Sequence, residues 1–182
     1  MNEVLKMSVH TPAHLFRPNA KYFITAATYM KKPWLKPNAI KEKLHNLLFI
    51  EFSESGWEIE DWVILDNHYH WMANAPENPG NLPNMMRNIH SEIASLIKAT
   101  LPEAKYANKI MYNYWDKCLT FEKSYFTRLN YIWYNPVKHG YVTSPEQWFW
   151  GSYYQRFKED YEESARIIKT YPFNKVTEYD DF

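Results

Sequence analysis

The stretch WEIEDWVILDNHYHWMANA, residues 57–75, leaves little choice about its fold. Two runs rich in β-branched and aromatic residues, 57–66 and 68–75, meet at the polar pair Asp66–Asn67. Asp and Asn favour tight turns because their side chains bond to their own backbone. The segment therefore reads as two strands joined by a tight turn. A Gly-rich phosphate loop is excluded, because the chain holds only 4 glycines and neither a GxGxxG nor a Walker pattern.

The flanking segments fit around that hairpin. KYFITAATYM (21–30) reads as a strand, and residues 39–55 read as a helix with Ile40, Leu44, Leu47, Leu48 and Phe52 near helical spacing. Gly56 follows as a C-terminal cap. After a loop at 77–83, residues 82–100 carry an apolar stripe at Met86, Ile89, Ile93 and Leu96, a helix that starts near Pro83. Residues 109–120 read as an aromatic strand. Thr120 is placed to cap a helix over 121–139, stopped by Gly140.

The order is β-α-β-β-α-β-α. Its first six elements are the split βαβ, ferredoxin-like arrangement of the α+β class, with the last helix packed beside it. One domain is expected over 1–157, followed by an acidic, weakly patterned C-terminal tail over 158–182. A composition of 46% hydrophobic and 18% aromatic residues excludes disorder. No apolar run approaches the roughly 20 residues of a membrane span, and the first residues lack the apolar core of a secretory signal. A single cysteine, Cys118, excludes an internal disulfide. These features together predict a cytoplasmic protein with no membrane partner.

The chain carries no net charge, yet its charges are segregated. Residues 1–50 hold eight basic and two acidic residues, residues 51–78 none and seven, and residues 79–157 nine and five. A polyanion would be drawn to the first and third blocks.

On a strand over 68–75, His68 and His70 share one face and Tyr69 takes the other, towards the core. Two imidazoles at that separation can reach one divalent ion, with a third ligand from elsewhere. A bare His-x-His also arises as two ordinary hydrogen-bonded histidines. The last helix adds Arg128, Tyr131, Asn135 and Lys138 at spacings of three, four and three, one polar stripe. A phenol can act as a nucleophile, a carboxamide oxygen as a hard ligand, and Arg or Lys can bind phosphate. Pro136 disfavours helical geometry at Asn135 and predicts a kink.

These residues resemble a known family. NHYH (67–70), closing an apolar strand, is similar to the HUH motif (His, hydrophobic residue, His) of single-tyrosine transposases. NYIWYNPVKHGYV (130–142) resembles the tyrosine-helix signature of the repetitive-extragenic-palindrome (REP)-associated tyrosine transposases, and PEQWFWGSYY (145–154) the aromatic segment that follows it. The resemblance covers roughly residues 18–157. It implies that His68, His70 and Asn135 hold Mg²⁺ or Mn²⁺, and that Tyr131 attacks a phosphodiester of single-stranded hairpin DNA to leave a 5′-phosphotyrosine link. It implies strand transfer by reversal of that step, in a monomer or a homodimer. Arg128 and Lys138 would contact phosphate or the phenol. Arg17, Lys21, Lys31 and Lys32 of the basic N-terminal block would contact the DNA backbone. Asp66 stands where the family pattern has a proline, and Gly151 where it has a serine.

Overall fold

A computed structural model describes residues 16–176. Four strands, β1 (Lys21–Thr28), β2 (Glu58–Ile64), β3 (His68–Asn74) and β4 (Met111–Leu119), form one antiparallel sheet in the order β2-β3-β1-β4. The helices α1 (Asn38–Glu54) and α2 (Leu82–Thr100) connect β1 to β2 and β3 to β4. That order and connectivity are the ferredoxin-like fold read from the sequence.

Local chemistry sets the boundaries. Gly56 adopts φ 78°, and the N–H of Trp57 bonds the carbonyl of Phe52 at 2.8 Å, closing α1 in a left-handed cap. Gly140, at φ 72°, closes α3 (Glu122–Lys138) the same way through Tyr141 N–H to Pro136 O. Helical structure continues through Pro136 to Lys138. Phe121, not Thr120, occupies the cap position of α3, and no side chain caps it. Thr120 lies one residue too early to reach the first free N–H groups.

The sheet separates two cores. On one face Tyr22, Ile24, Tyr69 and Trp71 pack under α1 and α2 with Phe52, Ile89 and Ile93. On the other, Phe23, Val63 and Met72 pack under α3 with Leu129, Ile132 and Trp133.

The chain after α3 belongs to this second layer. Residues 148–152 run along the edge of β2, with Ile64 N–H bonded to Trp150 O and Ser152 N–H to Trp62 O, both at 2.9 Å. Val63 and Gly151 form an antiparallel bridge there. A Cβ on Gly151 would meet its neighbours only at 3.5 Å or more, so the glycine answers no steric demand. Two helices follow, α4 (Tyr153–Glu159) and α5 (Tyr161–Thr170), the latter capped by the Asp160 carboxylate. Ile167 of α5 is buried, and Asn130 of α3 donates to the carbonyls of Ile168 (3.2 Å) and Tyr171 (2.6 Å). The start of the expected tail, 158–176, is thus ordered structure docked on α3. Residues 177–182, and the N-terminal part of the 1–157 domain, lie outside the described residues.

Two ion pairs, each with one buried partner, tie the layers together. The Asp61 carboxylate, at a bulge in β2, accepts from Trp133 Nε1 (2.8 Å), Ser152 Oγ (2.7 Å) and Arg156 (3.2 and 2.5 Å). Lys41 of α1 donates to Asp66 at 2.6 Å and to the Lys36 carbonyl at 2.9 Å. Asp66, the residue that departs from the family pattern, therefore neutralises a lysine that is 2% exposed. A proline there would leave that ammonium buried without its carboxylate.

Candidate active site

Alternation along β3 sends His68, His70 and Met72 to the α3 face, while Tyr69 and Trp71 enter the other core. Across the gap, α3 turns its supposed polar stripe inward. Tyr131 is 1% exposed, and Asn135 is fully buried between the two imidazoles. Its carboxamide lies 2.9 Å from His68 Nε2 and 3.3 Å from His70 Nε2.

The neighbours of the rings decide where their protons sit. The Asn67 amide nitrogen donates to the Lys31 carbonyl at 3.3 Å, which turns its oxygen towards His68 Nδ1 at 2.7 Å. That oxygen can only accept, so His68 carries its proton on Nδ1. His70 Nδ1 meets Thr25 Oγ1 at 2.8 Å, and its Nε2 receives the Asn135 amide, which gives it the same tautomer. Both Nε2 lone pairs therefore converge on Asn135. The contact between His68 Nε2 and Asn135 Oδ1 sets two acceptors against each other. It is favourable only with the amide turned over or with a cation between them.

Burial, more than any other cause, pushes the His68 pKa down to about 3. The nearby positive charges of His139, Lys138 and Lys31 add to it, against the bond to Asn135. Burial, then His68, His139 and Lys138, hold His70 well below the usual histidine range. Both rings are neutral at physiological pH, the form a metal requires. Two imidazole nitrogens and a carboxamide oxygen, oriented by Thr25 and Asn67, fit a divalent cation. Among the described residues there is no group of three His, Cys, Asp or Glu side chains placed to hold one.

Tyr131 sits against this cluster. Its ring meets His70 edge to face at 5.4 Å and Phe23 at 6.2 Å, while Phe23 stacks on His70 at 5.3 Å. Lys138 Nζ donates to the phenol oxygen at 3.0 Å. His139, at the end of α3, packs its ring 4.8 Å from that of His68.

The structure thus brings together His68, His70, Asn135, Tyr131 and Lys138, with Lys31 beside them. It does not bring in the other expected residues. Arg128 turns back to Ser124, with its guanidinium 5.9 Å over Phe23. Lys21 is engaged by Glu60 and Asn74, at the end of β1 far from His70. Arg17 is exposed just before that end, and Lys32 lies over the Trp34 ring. Sequence reading missed Thr25. Strand alternation and pairing opposite His70 could have found it only once the register was known. Asn67 was legible as a turn residue but not as the partner of His68.

A cavity of about 740 Å³ lies elsewhere, at the β2 edge, lined by Phe49, Trp62, Trp150 and Arg156 among others. Neither His68, His70 nor Tyr131 borders it. The candidate site therefore lies in a closed seam, apart from that cavity.

Fold and site define a ferredoxin-like domain in which an HxH strand faces a tyrosine-bearing helix. The chain shares part of its sequence with two named relatives. Over 107 residues it is 27% identical to a REP-associated tyrosine transposase of Haemophilus influenzae, a match covering 53% of this chain and 59% of that protein. Over 99 residues it is 25% identical to the REP-associated tyrosine transposase of Escherichia coli K12, covering 54% and 56%. The match thus spans under two thirds of either relative. The fold is that of a solved REP-associated tyrosine transposase bound to a REP hairpin, with TM-score 0.67 and 20% identity over 95% of this chain and 94% of that one. No protein-family model matches the chain. No helix among the described residues is long and apolar enough to cross a membrane.

Proposed function

We propose that the chain is a single-stranded DNA endonuclease and strand transferase of the transposase kind, acting on hairpin DNA. Support comes from one juxtaposition: the Tyr131 phenol, bonded to Lys138, lies against an HxH pair whose bare nitrogens converge on Asn135. Tyr131 Oη attacks the phosphorus of a phosphodiester. The P–O3′ bond breaks as the P–Oη bond forms, the 3′ oxygen leaves as a hydroxyl, and the phenol proton makes up that hydroxyl. Lys138 stabilises the phenol oxygen as its proton leaves. His68, His70 and Asn135 would hold Mg²⁺ or Mn²⁺, which supplies charge neutralisation at the phosphate oxygens. Two nitrogen donors favour Mn²⁺ over Mg²⁺ on softness. The product keeps its bond energy in the 5′-phosphotyrosine link, so a second 3′-hydroxyl can reverse the step without an external energy source.

A second reading is favoured by one observation, the burial of Tyr131. A protein that recognises hairpins without turnover would keep its phenol shut in this way. An SDS gel separates the two. Labelled single-stranded hairpins drawn from repeats near the gene are incubated with Mg²⁺ or Mn²⁺ and with wild type or Tyr131→Phe. The proposal expects a metal-dependent, SDS-resistant adduct lost in the variant. Hairpin binding with no adduct under either metal supports recognition alone, and cleavage that survives Tyr131→Phe removes the nucleophile from the mechanism.

A further inference from the structure

We propose that Tyr29, Tyr112 and Trp115 form a stacking ladder for unpaired nucleotides flanking the scissile phosphate. This rests on the nuclease reading above and adds a site to it. The Tyr29 and Tyr112 rings lie 6.1 Å apart with 23° between their planes, and Tyr112 and Trp115 lie 5.5 Å apart at 26°. Near-parallel aromatic planes in series are the surface on which single-stranded bases stack, whatever their sequence. Tyr29 is exposed, and Tyr112 and Trp115 are half-buried. Lys109 is exposed, with its ammonium 5.5 Å over Tyr29 and 4.6 Å over Tyr112, within reach of the phosphate of a nucleotide lying on the ladder. Lys31 and Lys32 follow one residue beyond, after Met30, and are exposed.

The ladder is tied to the histidines at both ends. Trp115 pairs with Thr25 in the β1–β4 register, and Thr25 holds His70. Tyr29 begins a tight turn whose Met30 and Lys31 adopt φ 56° and 53°, a left-handed conformation unusual for side-chain-bearing residues. The Lys31 carbonyl of that turn receives the Asn67 amide, which holds His68. The N–H of Tyr29 bonds Ile110 O at 2.7 Å and locks the turn to the start of β4. A strand whose phosphate sits at the histidines would pass its neighbouring bases onto these rings.

The test is fluorescence-polarisation binding of the full chain, without divalent metal, to a hairpin carrying a short thymidine tail and to the same hairpin blunt. Wild type is expected to prefer the tailed probe. Tyr112→Ala and Trp115→Ala should each weaken tailed binding by roughly tenfold or more, the stacking contribution of a base, and leave blunt binding unchanged. Trp115→Phe, which keeps an aromatic plane, should retain most of the preference and covers the case in which the alanine variant fails to fold. A 2-aminopurine in the tail should be quenched by wild type and recover with Tyr112→Ala. Equal losses on both probes, or an undiminished preference in the variants, would overturn the ladder while leaving the nuclease reading to its own adduct assay. Wild type that binds neither probe would overturn both.

Discussion

The two faces of β3 share one backbone and differ in what they bury. Tyr69, Trp71 and Ala73 meet α1 and α2 in a core that is almost wholly apolar, its buried polar contact on this strand being Tyr69 with His90 at 2.7 Å. His68 and His70 meet α3 across a polar seam in which Asn67, Thr25 and the Asn135 amide bond the rings, while His68 Nε2 faces the Asn135 oxygen. Burying polar groups is tolerable only when they are bonded, and it adds little net stability even then. One face therefore supplies stability and the other the candidate site, and strand alternation keeps substitutions in one from propagating directly to the other.

That division can be tested from its strongest consequence downward. Trp71→Ala, in the apolar core, should cost about 3–5 kcal/mol in a urea melt. A loss under 1 kcal/mol would mean that this face is not the stabilising one. Asp61→Ala leaves the half-exposed Arg156 and the buried Trp133 Nε1 without their acceptor and should cost about 1–3 kcal/mol, chiefly through the orphaned indole N–H. Because Trp133 lies on α3, that loss should be accompanied by increased hydrogen exchange along α3. Unchanged exchange there would show that Asp61 braces α4 alone.

Acid should strain both faces alike. Burial lowers the His90 pKa to about 4, against 6.5 when unperturbed, and His68 to about 3. Below pH 6.5 the unfolded chain takes up protons that the folded chain refuses. Stability is therefore whole above 6.5 and falls as pH drops, by up to about 1.4 kcal/mol per pH unit per histidine, until the folded pKa is reached. His90→Gln should remove one histidine's share of that slope between pH 6.5 and 4, read from melting curves. An unaltered slope would place the acid sensitivity on the α3 face alone.

Thr25→Val should give the smallest change in stability, about 1 kcal/mol. It should also weaken Mn²⁺ binding by roughly 10- to 100-fold in calorimetric titration, since the acceptor that orients His70 is gone. Unchanged affinity would show that stacking on Phe23 suffices to hold the ring.

Much of this was legible because the signals are local. The hairpin turn at Asp66–Asn67, the helical spacing of Ile40, Leu44 and Leu48, and the closing glycines at 56 and 140 all act within a few residues, and the elements follow them closely. Of the site, the shared face of His68 and His70 follows from the period of a strand, and the approach of Tyr131 and Asn135 from helical spacing. Thr25, the bidentate hold of Arg156 on Asp61, and the ladder of Tyr29, Tyr112 and Trp115 depend on strand register and layer packing, which no short window encodes. The stripe on α3 was read as polar, yet Arg128, Tyr131 and Asn135 of it are buried, and the α5 segment covers the neighbouring Asn130. That covering was hidden by the acidic composition of 158–182, whose few apolar residues, Ile167 among them, do the docking.

The hold of Asn130 on the carbonyls of Ile168 and Tyr171 has a kinetic consequence. Tyr131 lies on the neighbouring position of the same helix, sealed from solvent. On the proposed mechanism, a displacement of α3 that opened a path to the phenol would have to break these two bonds or carry α5 along, and would also loosen Trp133 from Asp61. Turnover governed by such an opening would follow the microsecond-to-millisecond timescale of collective segment motion, not the far faster one of side-chain rotation.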